Sequence, residues 1–154
     1  MKVESYSQAP EMRAEKITNY VLGTIRNSEY DFYAINYANA DMVGHTGDIE
    51  ATIKAVEYVD KKLASLWEEL QKRKGTLIIT ADHGNADNMI DIVEGKEVSN
   101  TFHTKNKVGF SVLGGGLTKK ELKIGGKLGN IAPTILEIMD IEKPKEMKCD
   151  SLFG

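Results

Sequence analysis

The chain of 154 residues contains three histidines, His45, His83 and His103, and two of them keep an aspartate close by. Asp41 stands four positions before His45 with Gly44 between them, and Asp82 immediately precedes His83. Carboxylate oxygen and imidazole nitrogen are ligands that Mn, Zn, Fe and Co accept. Five such groups brought together could hold two cations near each other. Paired cations stabilise the attacking and leaving oxygens of a phosphoryl group during in-line displacement. Each pair alone is a weak signal, since an isolated loop Asp or His is more often a cap or a surface group. Spacing by itself leaves a metal site and ordinary polar loops both open.

The surrounding pattern says what must position these residues. After Pro10, the stretch from Glu11 to Ile25 places Ile17, Tyr20, Val21 and Ile25 at helical steps, which predicts a short amphipathic helix. Asp31 to Asn36 reads as a buried strand, and Asp41 and His45 follow it. From Ile49, apolar residues at Ile53, Val56, Val59, Leu63, Leu66 and Leu70 mark one face of a long helix, with Gly75 in its C-terminal cap region. Thr76 to Ala81 is a near-continuous apolar strand of the kind buried in a parallel sheet, and Asp82 and His83 come directly after it. A polar loop is expected from Asp82 to Asn106 and holds His103. A third strand, Val108 to Leu113, stops at Gly114-Gly115-Gly116, and Asn130 is a candidate N-cap for a last helix through Met139. The order predicts an α/β fold with a mainly parallel sheet sandwiched by helices, whose strand ends are where such folds build sites.

Composition bounds the rest. Charged residues are 28% and the apolar set is 41%, ordinary values for one globular domain with its own core. Twenty Lys and Arg against 23 Asp and Glu give a net charge of −3, which argues against nucleic-acid or anionic-membrane binding. No run approaches the ~18 apolar residues of a membrane span. The single cysteine, Cys149, has no internal disulfide partner, so a reducing, cytoplasmic setting is expected.

Two blocks decide between the open readings. Asn36-Tyr37-Ala38-Asn39-Ala40-Asp41-Met42-Val43-Gly44-His45-Thr46-Gly47 and Ile79-Thr80-Ala81-Asp82-His83-Gly84-Asn85-Ala86-Asp87 resemble the signature blocks of cofactor-independent phosphoglycerate mutase, in the alkaline phosphatase superfamily. Thr101-Phe102-His103-Thr104, Leu128 to Thr134, Pro144 to Met147 and the opening Val3-Glu4-Ser5-Tyr6 are similar to the same family in the same order. The resemblance implies an isomerase, an intramolecular phosphotransferase of glycolysis. It would interconvert 3-phosphoglycerate and 2-phosphoglycerate through a phosphoserine, with two divalent ions, usually Mn, and no need for 2,3-bisphosphoglycerate. It further implies that Asp41, His45 and His103 hold the first ion. Asp82 and His83 would be half of the second site, and Asn85 and Asp87 either orient the ligands or serve as turn residues.

The resemblance is to the C-terminal part of the family's phosphatase-like metal domain, so residues 1–154 are expected to form an alkaline-phosphatase-like fold incomplete at its N-terminal side. The family's nucleophilic Ser, its earlier metal Asp and its inserted substrate-binding domain have no counterpart here. No catalytic nucleophile is therefore assigned in this chain, which is expected to be inactive alone and to associate with itself or with a complementing N-terminal fragment. Arg13, Arg26 and Arg73 are not assignable to substrate. Lys143, Lys145 and Lys148 read as a solvated tail and Trp67 as partly buried core. Another phosphohydrolase or phosphomutase of the superfamily, or a non-catalytic metal-binding or assembly module, remain the alternatives.

Overall fold

A computed structural model describes residues 4–116 and 121–153; Val3, part of the opening resemblance, lies outside them. Among the described residues the α-helices are α1 (Ala14–Arg26), α2 (Asn39–Gly44), α3 (Ile49–Lys72) and α4 (Ile131–Ile138), and the strands are β1 (Thr76–Thr80), β2 (Ile90–Val93), β3 (Lys96–Ser99) and β4 (Phe110–Gly114). Helix α3 begins where the Asp48 side chain accepts from Ala51 N–H at 2.9 Å, an N-cap. It ends with Lys74 in the left-handed region while Gly75 N–H bonds back to Leu70. A Cβ on Gly75 would lie 2.7 Å from Leu70 Cδ2, so that side-chain end would have to shift.

Two small cores hang on α3. Val21, Leu22 and Ile25 of α1 meet Leu66 in one, and Val43 of α2 meets Ala51 and Ala55 in the other. The long-helix expectation holds, but its buried stripe is displaced. Ile49, Ile53 and Val56 are exposed, and small Ala51 and Ala55 face α2, because only short side chains let the two helices approach closely. Tyr20 likewise turns to solvent, and the buried face of α1 runs through Ala14, Thr18, Val21, Leu22 and Ile25.

The expected mainly parallel sheet is corrected by the pairing. Among the described residues both ladders are antiparallel, β1 with β4 (Ile78 opposite Val112) and β2 with β3. Residues 31–37, of which Asp31 to Asn36 read as a strand, run outside both ladders. Their side chains still alternate, with Tyr33, Ile35 and Tyr37 packed on the α1–α3 core and Phe32, Ala34 and Asn36 outward. Alternation fixes a segment's two faces, whereas a ladder also needs a neighbouring strand ~4.8 Å away.

The loop expected over residues 82–106 contains the β2–β3 hairpin. Its two-residue connection, Glu94-Gly95, has positive φ at both positions, as a tight hairpin turn requires. Asn130 precedes α4 but does not cap it. Its side chain accepts from Lys127 N–H and donates to the Asp150 carbonyl, tying the chain's end to the helix start. Lys143 is a tether too, donating to the Cys149 carbonyl and to Asp150. Among the described residues, no helix is long and apolar enough to cross a membrane.

Candidate metal centre

Helix α2 carries the first pair. Residues four apart share a helix face, so Asp41 and His45, the latter the C-cap residue, point the same way. The helix is pinned from below by fully buried Val43 and by Asn39, which donates to the Pro10 carbonyl at 2.7 Å. Asp82 and His83 leave the end of β1. His103 sits beyond the β2–β3 hairpin, on a stretch held to His83's own loop by the bridge between Gly84 and Thr104, with Thr104 N–H on Gly84 O at 2.7 Å.

These elements bring the three imidazoles and Asp41 into one cluster. His45 Nε2 lies 3.2 Å and His103 Nε2 3.1 Å from Asp41 Oδ1, and the two Nε2 atoms are 3.1 Å apart. Adjacent ligands on one cation with bonds of ~2.0–2.2 Å stand ~2.8–3.1 Å apart in an octahedron and ~3.3–3.6 Å apart in a tetrahedron. The triangle of Asp41, His45 and His103 therefore has the spacing of three ligands on a single ion. His45 Nδ1 is 2.7 Å from the Thr101 carbonyl. A carbonyl can only accept, so the ring proton is on Nδ1 and the Nε2 lone pair faces the cluster. The donor set fits a divalent metal.

His83 stacks on His103 with ring centroids 3.7 Å apart, and its Nε2 is 3.9 Å from Asp41 Oδ1 and 3.6 Å from Asp82 Oδ2. Asp41, His83 and His103 also offer ligand atoms within 4.8 Å of one another. His83 thus lies against the Asp41 cluster as well as beside Asp82. Asp82, largely exposed, sits at the outer rim.

Asp87 supports the loop and does not reach the imidazoles. Its carboxylate accepts from Asn106 Nδ2 at 2.6 Å and from Thr104 Oγ1 at 3.0 and 3.1 Å. The Asn106 bond above all, with help from Thr104, holds its carboxyl below the ordinary range despite some desolvation. Gly84 is required in this corner, since a Cβ would meet Thr104 Oγ1 at 2.1 Å and Asp87 Oδ1 at 2.5 Å. Thr101, Thr104 and Asn106 were not singled out from the sequence as supports; their position in and beside the block around His103 was the available signal.

The arginines have another employment. Arg26 and Arg73 converge with Lys72 on the buried carboxylate of Glu69, at 3.2–3.3 Å. Arg73 also donates to the Arg26 carbonyl at 2.9 Å.

With the geometry in place, a family model described as the Metalloenzyme superfamily matches residues 1–143. The chain belongs to the metalloenzyme superfamily. This superfamily segment is 47% identical over 152 residues to the 2,3-bisphosphoglycerate-independent phosphoglycerate mutase of Clostridium novyi, covering 99% of the chain and 29% of the relative. It is 48% identical over 153 residues to that of Clostridioides difficile, covering 99% of the chain and 30% of the relative. A crystal structure of Leishmania mexicana phosphoglycerate mutase at low cobalt concentration superposes with a TM-score of 0.90 at 31% identity, over 99% of this chain and 30% of that one. The chain thus shares the α/β fold of a phosphoglycerate mutase segment and spans about 30% of the length of the curated relatives it matches.

Proposed function

We propose that this chain is the metal-holding segment of a cofactor-independent phosphoglycerate mutase that interconverts 3-phosphoglycerate and 2-phosphoglycerate. The observation that carries the reading is the triangle of 3.1–3.2 Å between Asp41, His45 and His103, in a chain nearly half identical to such mutases. In this reading those three residues hold one divalent ion and Asp82 with His83 supplies half of a second site, with manganese the favoured metal. When bound, such ions offset the charge of a transferring phosphoryl group and favour the ionised form of an attacking hydroxyl.

The chain's own residues then have distinct tasks. The Thr101 carbonyl sets the His45 tautomer, and the Asp87–Thr104–Asn106 knot holds the strand of chain that presents His103. The nucleophilic serine and the phosphoglycerate-binding groups are assigned to polypeptide outside residues 1–154. Of the described serines, Ser5 pairs with Ser7, Ser28 with Arg73, and Ser65 with the Lys61 carbonyl. The exposed side chains of Tyr20, Tyr30 and Phe32, beside the segment 31–37, support a complementing polypeptide as partner; self-association is the other outcome. The reading also sets the chain in glycolysis in a reducing cytoplasm, supported by its lone Cys149.

The test is a calorimetric manganese titration of the chain and of His45→Ala, followed by a mutase assay. The assay would mix the chain with a polypeptide covering the remaining length of a clostridial relative. Saturable uptake lost in the variant, with activity only on mixing, is the expected result. Uptake indifferent to His45, or a metal-loaded mixture without activity, would overturn it.

A further inference from the structure

Asn85 is 6% exposed and lies between Gly44 of α2 and the cluster. Its Nδ2 donates to Asp41 Oδ1 at 3.1 Å and is 3.4 Å from His45 Nε2. Its Oδ1 is buried without a hydrogen-bond partner. The carboxylate oxygen can only accept, which fixes the amide with nitrogen toward Asp41 and oxygen toward α2. That oxygen lies 2.3 Å from where a Cβ on Gly44 would be, and Cγ lies 3.1 Å from it. Only glycine at position 44 admits the amide in this orientation. Gly44 is helical and not in the left-handed region, so backbone conformation gives no reason for a glycine there.

Burying a carbonyl oxygen unpaired is unfavourable, and an apolar side chain would fill the same space without that penalty. The half of the amide that is paired is aimed at the oxygen Asp41 offers the cluster. A carboxylate oxygen has two lone pairs, so a donor on one leaves the other for a cation.

We propose that Asn85 is a positioning residue that orients the Asp41 carboxylate for metal binding, and that Gly44 serves it by leaving the space its amide occupies. This rests on the metal reading of the cluster. Removing a hydrogen bond behind a metal ligand lowers affinity by ~10–100-fold, and Asn85→Ala is expected to fall in that range.

Gly44→Ala separates this role from simple packing. Alanine is the better helix former, so the substitution favours α2 itself, yet it must push Asn85 off Asp41. Manganese affinity should fall for Gly44→Ala about as far as for Asn85→Ala, while Gly44→Ala made in the Asn85→Ala background should cost nothing more. The absorption bands of cobalt(II) bound to the full chain give a second readout, since they report ligand geometry. They should shift in both single variants and be the same in Asn85→Ala and the double variant.

If the unaltered chain takes up neither manganese nor cobalt, both the metal reading and this inference fall. If it binds them and Asn85→Ala binds equally well with unshifted bands, the metal reading stands and the positioning role is overturned. Additive losses in the double variant would overturn the coupling to Gly44.

Discussion

Two charged clusters lie along α3, and they differ in whether they contain their own counter-charge. At its C-terminal end, the buried Glu69 carboxylate meets Arg73, Lys72 and Arg26, so the acid brings its cations with it. Beyond its N-terminal end, Asp41 faces His45, His103 and His83, whose ring nitrogens offer lone pairs rather than fixed positive charge. A charge cluster completed by side chains is architecture. One that converges lone pairs is, on the proposed reading, the one that holds a metal ion. The difference also gives Arg26 and Arg73, two of the three arginines, a structural partner in Glu69.

The sharpest way to test that contrast is to damage each end and read both stability and metal. Leu66→Ala, in the core beneath Glu69, should cost ~2–5 kcal/mol in denaturant unfolding. Being distant from the cluster, it should leave manganese affinity within about twofold. Asp41→Ala should do the reverse, lowering manganese affinity by more than the ~100-fold that a supporting residue accounts for, with an unchanged circular dichroism spectrum. Manganese at a hundred times its dissociation constant should stabilise the chain by ~2.7 kcal/mol, and Asp41→Ala should abolish that gain in thermal unfolding. Equal metal stabilisation in both would erase the distinction.

A smaller effect is expected at the support. Asp87→Asn weakens the acceptor shared by Thr104 and Asn106 and should lower manganese affinity about tenfold by loosening His103, as calorimetry would measure.

The smallest change is expected from Glu69→Gln, and it should be visible mainly as pH dependence. Arg73 foremost, with Lys72 and Arg26, holds the Glu69 carboxyl below its ordinary value against desolvation. Its folded pKa is depressed, so its stabilising contribution is complete above the unfolded carboxylate range and is lost as pH falls through the folded value. Glu69→Gln should therefore be less stable than the parent at neutral pH and should show a shallower loss through that acidic window. A midpoint-versus-pH series in thermal unfolding reads both.

Long periodic segments were the most legible part of the fold. The steps of three and four residues from Ile49 to Leu70 do form a helix, because hydrogen bonding within one segment needs no partner. Which of its faces is buried was less legible: Ala51 and Ala55 win over Ile53 and Val56 because α2 packs close. The hairpin at Glu94-Gly95 was missed although its flanks, Ile90-Asp91-Ile92-Val93 and Lys96 to Ser99, alternate around a turn-forming pair; a polar surrounding hid it. At the site, the family resemblance of the blocks pointed to Asp41, His45, Asp82, His83 and His103, whereas Asp87 as a knot and Asn85 as a bridge could not be told from turn residues, and only the structure leaves Asp82 largely exposed.

By itself the sequence determined the candidate ligands, the three longer helices and the family, since these reside in side-chain type, local periodicity and order along the chain; the short helix α2 under Asp41 was not legible in it. Tertiary structure alone decided four things. It joined β1 to β4 in an antiparallel pair, left residues 31–37 outside a ladder, and turned Arg26 and Arg73 toward Glu69. It also closed Asp41, His45 and His103 to 3.1–3.2 Å across 58 positions of sequence between the two histidines. Such contacts depend on which surfaces meet in space, and a ring nitrogen's role depends on the carbonyl that reaches its other side.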